Sequence, residues 1–129
     1  KVSEEELYFL TGIDDVVGGT EYVYNNYHIP MILATLGKRG VYFHTPYEKG
    51  HAATYAEVET IDTTGAGDIF VGSFLYQVAA FGLDNLKGDN IRLAVDFANA
   101  AASLSTTRKG AIPSIPQETE VRARMSYRG

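Results

Sequence analysis

The feature that most constrains the fold is a change in hydrophobic patterning at a glycine turn, Gly65–Gly67. Before this turn, two short apolar runs at 31–37 and 40–45 predict a pair of buried strands joined by a tight connection. After it, residues 67–81 and 91–104 carry apolar side chains at helical spacing. In the first of these helices, five residues are expected to face the core: Ile69, Phe70, Phe74, Leu75 and Val78. Strands followed by packed helices indicate a layered α/β unit.

Four further elements complete the predicted pattern. Ser3 followed by Glu6 predicts a capping box at the start of a short helix that Gly12 closes. The pattern also predicts a helix within 14–28 and a third strand within 52–59. A short final helix is expected from Gln117, after a loop that contains glycine and two prolines.

Composition excludes several classes of function. The chain has 129 residues, enough for one small domain with a core, and a net charge of -5 that disfavours nucleic acid or an anionic membrane surface as partner. It has no cysteine, which excludes disulfides, thiolate nucleophiles and cysteine-ligated zinc, and which fits a cytoplasmic protein. No apolar run is long enough for a membrane span. The sequence begins with Lys1 rather than methionine, which suggests a truncated start.

The turn itself carries the strongest chemical signal. Gly65, Ala66 and Gly67 have small side chains, so their backbone N–H groups can approach an anion closely if a helix starts there, with Asp68 beside it. An ordinary turn followed by a favourable first-turn acid explains the same four residues. A dinucleotide-binding fingerprint fails because Phe70 stands where the third small residue belongs, and no P-loop lysine motif is present.

A longer comparison of segments decides between these interpretations. The stretch DTTGAGD at 62–68, with the apolar helix behind it, resembles the second signature of the ribokinase-like (PfkB) family of carbohydrate kinases. Residues 35–41 resemble the nucleotide-site strand and turn of that family, and 97–116 resemble its late helix and loop. Residues 3–12 resemble its Asn-x-x-Glu segment with the Leu-Thr-Gly that follows. The four matches occur in the family's order and cover almost the whole chain.

The resemblance implies a ribokinase-like three-layer α/β/α (Rossmann-like) fold and ATP-dependent phosphorylation of a sugar hydroxyl. Residues 1–129 correspond to the C-terminal, nucleotide-binding and catalytic portion of such a kinase. The N-terminal sugar-binding half and the small β lid of the family are not recognisable here. We therefore expect the isolated chain to be inactive on sugars. A sheet cut between strands leaves an open edge, so we also expect it to self-associate.

The resemblance also assigns roles to individual residues. Asp68 would be the catalytic base that takes the proton of the attacking sugar hydroxyl. Gly65, Ala66 and Gly67 would supply the N–H groups of the anion hole. Four residues would contact the nucleotide: Thr35, Gly37, Gly40 and Asn99.

Two cation sites are implied in the same way. Glu6 would organise Mg²⁺ through water, although Ser3 stands where the family usually has asparagine, and a capping box explains both residues without a metal. Many family members also bind a monovalent cation, usually K⁺, beside the anion hole. Six residues would hold it: Asp62, Thr64, Ser105, Arg108, Gly110 and Ser114.

The identity of the sugar is left open by the sequence. The segments at 3–12 and 108–116 are most similar to those of fructokinases, whereas ribokinase and 2-keto-3-deoxygluconate kinase share much of the same C-terminal sequence. A nucleotide-binding regulatory relative without catalysis is the alternative from another class. Asp68 together with Gly65 and Gly67 argues against that alternative, whereas Ser3 at the usual asparagine position leaves it open.

Overall fold

The computed structural model describes residues 1–54, 65–107 and 116–126. The chain divides into two compact units, Lys1–Ala53 and Thr54–Gly129. The first unit combines a four-stranded sheet with two helices, and the described part of the second unit is helical.

The first unit is built from six elements: β1 (Val2–Ser3), α1 (Glu4–Thr11), α2 (Val16–Tyr27), β2 (Ile32–Thr35), β3 (Val41–His44) and β4 (Lys49–Ala52). The strand order is β1-β2-β3-β4. β1 runs parallel to β2, whereas β2–β3 and β3–β4 are antiparallel hairpins. The predicted strand pair around the Lys38-Arg39 connection is confirmed, and a 3₁₀ turn at Gly37–Arg39 forms that connection.

Both helices of this unit begin with side-chain caps. The Ser3 hydroxyl accepts the Glu6 N–H at 3.1 Å, and the Glu6 carboxylate accepts the Ser3 N–H at 2.8 Å, which confirms the predicted capping box. Gly12 ends α1 in the left-handed conformation, as expected. The Asp15 carboxylate caps α2, and the helix predicted within 14–28 spans Val16–Tyr27.

The third strand predicted within 52–59 overlaps the observed β4 only at Ala52. β4 spans Lys49–Ala52, and the part of the prediction at 55–59 lies outside the described residues. The Thr45 N–H donates to the Glu48 carbonyl at 2.9 Å, so the hairpin turn closes within four residues. Lys49 therefore already pairs with His44.

The second unit contains three helices in its described part: α3 (Ala66–Phe81), α4 (Asp89–Thr106) and α5 (Glu118–Ser126). All three were predicted. Phe70 and Phe74 of α3 are buried as expected, but Leu75 is 57% exposed and its assignment to the core face was wrong. Gln77 is buried instead, because it continues the i, i+4, i+7 stripe that Phe70 and Phe74 begin.

Each unit has its own apolar cluster. In the first, Leu7 and Val23 of the two helices pack with Ile32 and Ala34 of β2. In the second, Phe97, Ala100 and Ala101 of α4 pack with Val121 of α5. None of the helices within 1–54, 65–107 and 116–126 has the length and apolar character to cross a membrane.

Candidate active site

The start of α3 is a glycine cap. Gly65 has φ 79° and ψ -1°, a left-handed conformation that costs a residue with a Cβ about 1–2 kcal/mol. Its carbonyl accepts the Ile69 N–H at 2.9 Å, and no side chain caps the helix. The N–H groups of the first turn, from Ala66 to Asp68, have no partner within the helix. They and the helix dipole form a local site for an anion.

Asp68 stands at the third position of α3 with its side chain exposed. It lines a cavity of about 450 Å³, to which Gly65 also contributes. This volume falls in the range of small-molecule pockets. The predicted base and the first residue of the predicted anion hole therefore border the same space.

The walls of this cavity come from the three α-helices described in the second unit. Ile69, Phe97 and Val121 supply apolar surface, and Ser73 supplies a hydroxyl. Asn99, which we predicted near the nucleotide, is buried on α4 and is not one of the lining residues.

A polar and aromatic cluster beside the cavity connects α5 with α3 and α4. The Tyr76 hydroxyl donates to a Glu118 carboxylate oxygen at 2.9 Å, and this carboxylate raises the pKa of Tyr76 above its usual 10.0. The Tyr76 ring stacks on Phe97 with a centroid distance of 6.0 Å. The Arg122 guanidinium lies 4.9 Å from the Phe97 centroid and pairs with Glu118 at 3.3 Å. Sequence patterns gave no signal for this cluster, because its members lie on three separate helices.

The predicted nucleotide turn lies at the carboxyl end of β2 in the first unit. Thr35 pairs in register with Ser3 of the parallel strand β1, and its hydroxyl donates to the Val2 carbonyl at 3.3 Å. The turn from Gly37 to Gly40 and the amino-terminal end of α1, which carries Glu6, therefore lie at the same edge of the sheet. Such carboxyl-terminal edges are the usual ligand sites of α/β sheets.

Gly40 is sterically required at the end of this turn. Its φ is +96°, and a Cβ there would stand 2.1 Å from the Ala52 carbonyl oxygen of β4. The strand pair β3–β4 can therefore approach the turn this closely only with glycine at this position.

Two side-chain contacts that the sequence did not indicate fix the turn. The Arg39 guanidinium pairs with the Glu4 carboxylate, and this contact raises the pKa of Arg39 above its usual value. The His51 ring bonds through Nε2 to the Arg39 carbonyl. The sequence left open whether Arg39 is solvated or contacts phosphate. Its contact with Glu4 connects the turn to the first residue of α1.

Glu6 is held in place by its cap. Its pKa is lowered, first by the hydrogen bond from the Ser3 backbone N–H and then by the Ser3 hydroxyl. The exposed carboxylate is therefore ionised at neutral pH. A carboxylate that contacts Mg²⁺ through water fits the ion's reluctance to lose its hydration shell.

Most of the predicted monovalent-cation site lies outside the described residues, namely Asp62, Thr64, Arg108, Gly110 and Ser114. Ser105 is buried near the end of α4, where its hydroxyl donates to the Ala102 carbonyl at 2.7 Å. Its own carbonyl accepts the Thr107 N–H, and a carbonyl oxygen has a second lone pair for a cation. Among the residues that the structure describes, no group of three or more His, Asp or Glu side chains is arranged to hold a metal.

Comparison with known proteins identifies the class of protein. Residues 1–118 match the pfkB family of carbohydrate kinases. The chain is 40% identical over 121 residues to fructokinase-1 of Oryza sativa subsp. japonica, and the match covers 94% of this chain and 37% of the rice protein. The chain thus spans little more than a third of the length of such relatives.

Similar solved structures indicate the same class of protein. The fructokinase of Vibrio cholerae O395, crystallised with fructose, ADP and calcium ion, superposes with a TM-score of 0.82 at 37% identity, over 96% of this chain and 40% of that one. A ribokinase of Thermotoga maritima gives a TM-score of 0.79 at 34% identity, over 96% of this chain and 40% of that one. The chain therefore belongs to the pfkB carbohydrate kinase family, and the predicted ribokinase-like α/β fold is confirmed.

Proposed function

We propose that this chain is the C-terminal, nucleotide-binding portion of a kinase that transfers the γ-phosphoryl group of ATP to a hydroxyl of fructose. Membership of the family and the similarity to plant and bacterial fructokinases support a sugar as acceptor. The similar Vibrio enzyme was crystallised with fructose and ADP, which supports fructose in particular.

The start of α3 is the observation that carries this proposal. Asp68 is the catalytic base, which accepts the proton of the sugar hydroxyl as that oxygen attacks phosphorus. The N–H groups of Gly65, Ala66 and Gly67 form the anion hole and stabilise the charge on the transferring group. Phosphoryl transfer depends mainly on positioning and on charge stabilisation, and an uncapped helix start beside an exposed carboxylate supplies both.

The turn after β2 binds the nucleotide in this proposal. Thr35, Gly37 and Gly40 line the phosphates and ribose, and Asn99 approaches the adenine or ribose. In this proposal the contacts of Arg39 with Glu4 and His51 favour the conformation of the turn that the nucleotide binds. A preformed loop reduces the conformational entropy that is lost on binding.

Two cations support the transfer. Glu6 holds Mg²⁺ through water, and the ion, when bound, neutralises charge on the phosphates. The exposed carboxylate of Glu6 fits this role. K⁺ binds beside the anion hole through Asp62, Thr64, Ser105, Arg108, Gly110 and Ser114. The second lone pair of the Ser105 carbonyl is consistent with its place in this set.

The proposal is tested on the full-length protein with Mg-ATP and a panel of fructose, ribose and 2-keto-3-deoxygluconate, with and without K⁺. We expect the highest kcat/KM with fructose. The similarity to ribokinase favours ribose as the second candidate, and a higher kcat/KM with ribose would replace fructose in the proposal.

Asp68→Asn is the decisive variant. We expect turnover to fall by at least about a hundredfold, the usual effect of losing a general base, while ATP binding is retained. Asp84→Asn is the matched control, because Asp84 is exposed beyond the other end of α3. An unchanged rate in Asp68→Asn would rule out the base. If the unchanged full-length protein binds ATP but turns over no sugar, it is the nucleotide-binding regulatory relative rather than an enzyme.

The isolated chain should show no sugar-dependent ADP production, since the family's sugar-binding residues lie mainly in its N-terminal half. Activity of the purified 129-residue chain would contradict this part of the proposal.

A further inference from the structure

The Arg39 side chain connects two turns of opposite charge at the carboxyl edge of the sheet. Its guanidinium donates from Nη2 to a carboxylate oxygen of Glu4, the first residue of α1. The first turn of α1 carries two further acids, Glu5 and Glu6, whereas the last turn of the 3₁₀ segment after β2 is basic. One ion pair therefore joins the proposed Mg²⁺ contact to the proposed nucleotide turn.

This ion pair is exposed, so its partners can be exchanged at little cost. The side chains of Arg39 and Glu4 keep 65% and 36% of their accessible surface. Water solvates the separated charges of such a pair almost as well, and breaking it shifts an equilibrium by no more than about fivefold. Glu4 is the only described residue that the guanidinium contacts, so most of its N–H donors remain available to a ligand.

The backbone of the turn is held by bonds that do not involve this guanidinium. The Leu36 N–H donates to the Gly40 carbonyl at 2.8 Å, and the Gly40 N–H donates to the Gly37 carbonyl at 3.1 Å. From β4, the His51 ring bonds to the Arg39 carbonyl. The guanidinium can therefore change its partner while the backbone of the turn keeps its shape.

The space beside the turn is open to a ligand. A Cβ placed on Gly37 would meet no atom within 4 Å. A phosphate group offers an arginine several oxygens and more negative charge than a carboxylate does, and it is bound through two parallel hydrogen bonds. Exchange of the single contact with Glu4 for a contact with phosphate is therefore favourable.

We propose that the Arg39 guanidinium binds the phosphates of the nucleotide, and that Glu4 holds it only until the nucleotide arrives. This inference rests on the proposed function, and it adds a phosphate-binding side chain and a carboxylate that competes for it. In the unliganded protein Glu4 occupies the guanidinium and thereby lowers the affinity for nucleotide. The contact is a weak autoinhibitory latch on the turn.

The test is calorimetric titration of the full-length protein with ADP, without sugar or Mg²⁺. In Arg39→Gln we expect the dissociation constant for ADP to rise at least about tenfold, the usual effect of losing a charged hydrogen bond. In Glu4→Gln it should fall about two- to fivefold, because the competing carboxylate is gone. Glu21→Gln is the matched control, since it breaks another exposed ion pair of the same unit, with Lys49 at 3.2 Å, and should bind ADP normally.

Adenosine, measured by its competition with ADP, distinguishes a phosphate contact from a general effect on the turn. Adenosine carries no phosphate, so its dissociation constant should be the same in Arg39→Gln and in the unchanged protein. Equal weakening of ADP and adenosine would mean that Arg39 only supports the turn, and the proposal would be overturned.

The double variant Glu4→Gln/Arg39→Gln tests whether Glu4 acts through Arg39. Most of the gain from Glu4→Gln should disappear once Arg39 is replaced. A gain of the same size in the double variant would show that Glu4 repels phosphate directly, which contradicts the exchange. Unchanged ADP binding in Arg39→Gln would refute this inference alone. If the unchanged protein binds no ADP, the nucleotide site of the proposed function is itself refuted.

Discussion

Glu6 takes part in a helix cap and is also the proposed contact to Mg²⁺, and two substitutions separate these roles. Ser3→Ala removes the hydroxyl that accepts the Glu6 N–H at 3.1 Å, but it leaves the carboxylate. Loss of such a cap costs about 1 kcal/mol. With a typical urea dependence of about 2 kcal/mol per molar, the unfolding midpoint should fall by about 0.5 M. The response of the kinase rate to Mg²⁺ should stay unchanged.

Glu6→Gln should have the opposite effects, with a smaller loss of stability and a changed response of the rate to Mg²⁺. A glutamine can still accept the Ser3 N–H in a capping box, so the unfolding midpoint should fall less than in Ser3→Ala. The Mg²⁺ concentration for half-maximal rate should rise about tenfold or more, as for other outer-sphere metal contacts. Unfolding is measured in urea with the 129-residue chain, and the rate is measured with the full-length protein under MgCl₂ titration.

Glu5→Gln is the matched control, since it removes a charge from the same first turn outside the capping box. If Glu6→Gln and Glu5→Gln show the same Mg²⁺ dependence, Glu6 is a cap and nothing more, and its place in the proposed metal site is refuted.

Three further outcomes are expected. Gly40→Ala should lower the free energy of unfolding in urea by at least about 2 kcal/mol, because φ is +96° and the new Cβ would stand 2.1 Å from the Ala52 oxygen. A smaller loss would show that β4 can shift. Burial holds the folded-state pKa of His44 below its unfolded value of 6.5, so the uncharged ring contributes its full stability above about pH 6.5, and this contribution is lost as the pH falls below that value. The free energy of unfolding should therefore fall less between pH 7.5 and pH 5.5 in His44→Phe than in the unchanged chain. Glu118→Gln should lower the pKa of Tyr76 toward 10.0, measured by carbon NMR of the tyrosine ring, and an unchanged pKa would refute their hydrogen bond in solution.

Local patterns predicted most of the helices and strands. The capping box at Ser3 and the glycine before α3 are short-range signals, so they could be recognised without knowledge of the fold. The periodicity of 67–81 predicted α3, but the prediction of its core face was only partly right. Leu75 is exposed, and the polar Gln77 is buried. A run that is apolar almost all round does not specify which side faces the core.

The contacts that shape the site were not predictable in this way. Glu4 and Arg39 are separated by 35 positions, and they meet only because β1 pairs with β2. His51 reaches the carbonyl of Arg39 because β4 pairs with β3. A single sequence without an alignment carries no signal for such pairs. The family resemblance predicted which residues belong to the turn, and the structure shows which contacts hold it in place.

The glycine at the start of α3 has a consequence for how this region responds to stabilising substitutions. Serine, asparagine or aspartate at the cap would bind the first-turn N–H groups with its own oxygen, and glycine loses only a few tenths of a kcal/mol by comparison. In the proposed enzyme those same groups receive the phosphate. A side-chain cap at Gly65 would therefore compete with the phosphate for these N–H groups, and the left-handed conformation at this position would cost the new residue about 1–2 kcal/mol as well.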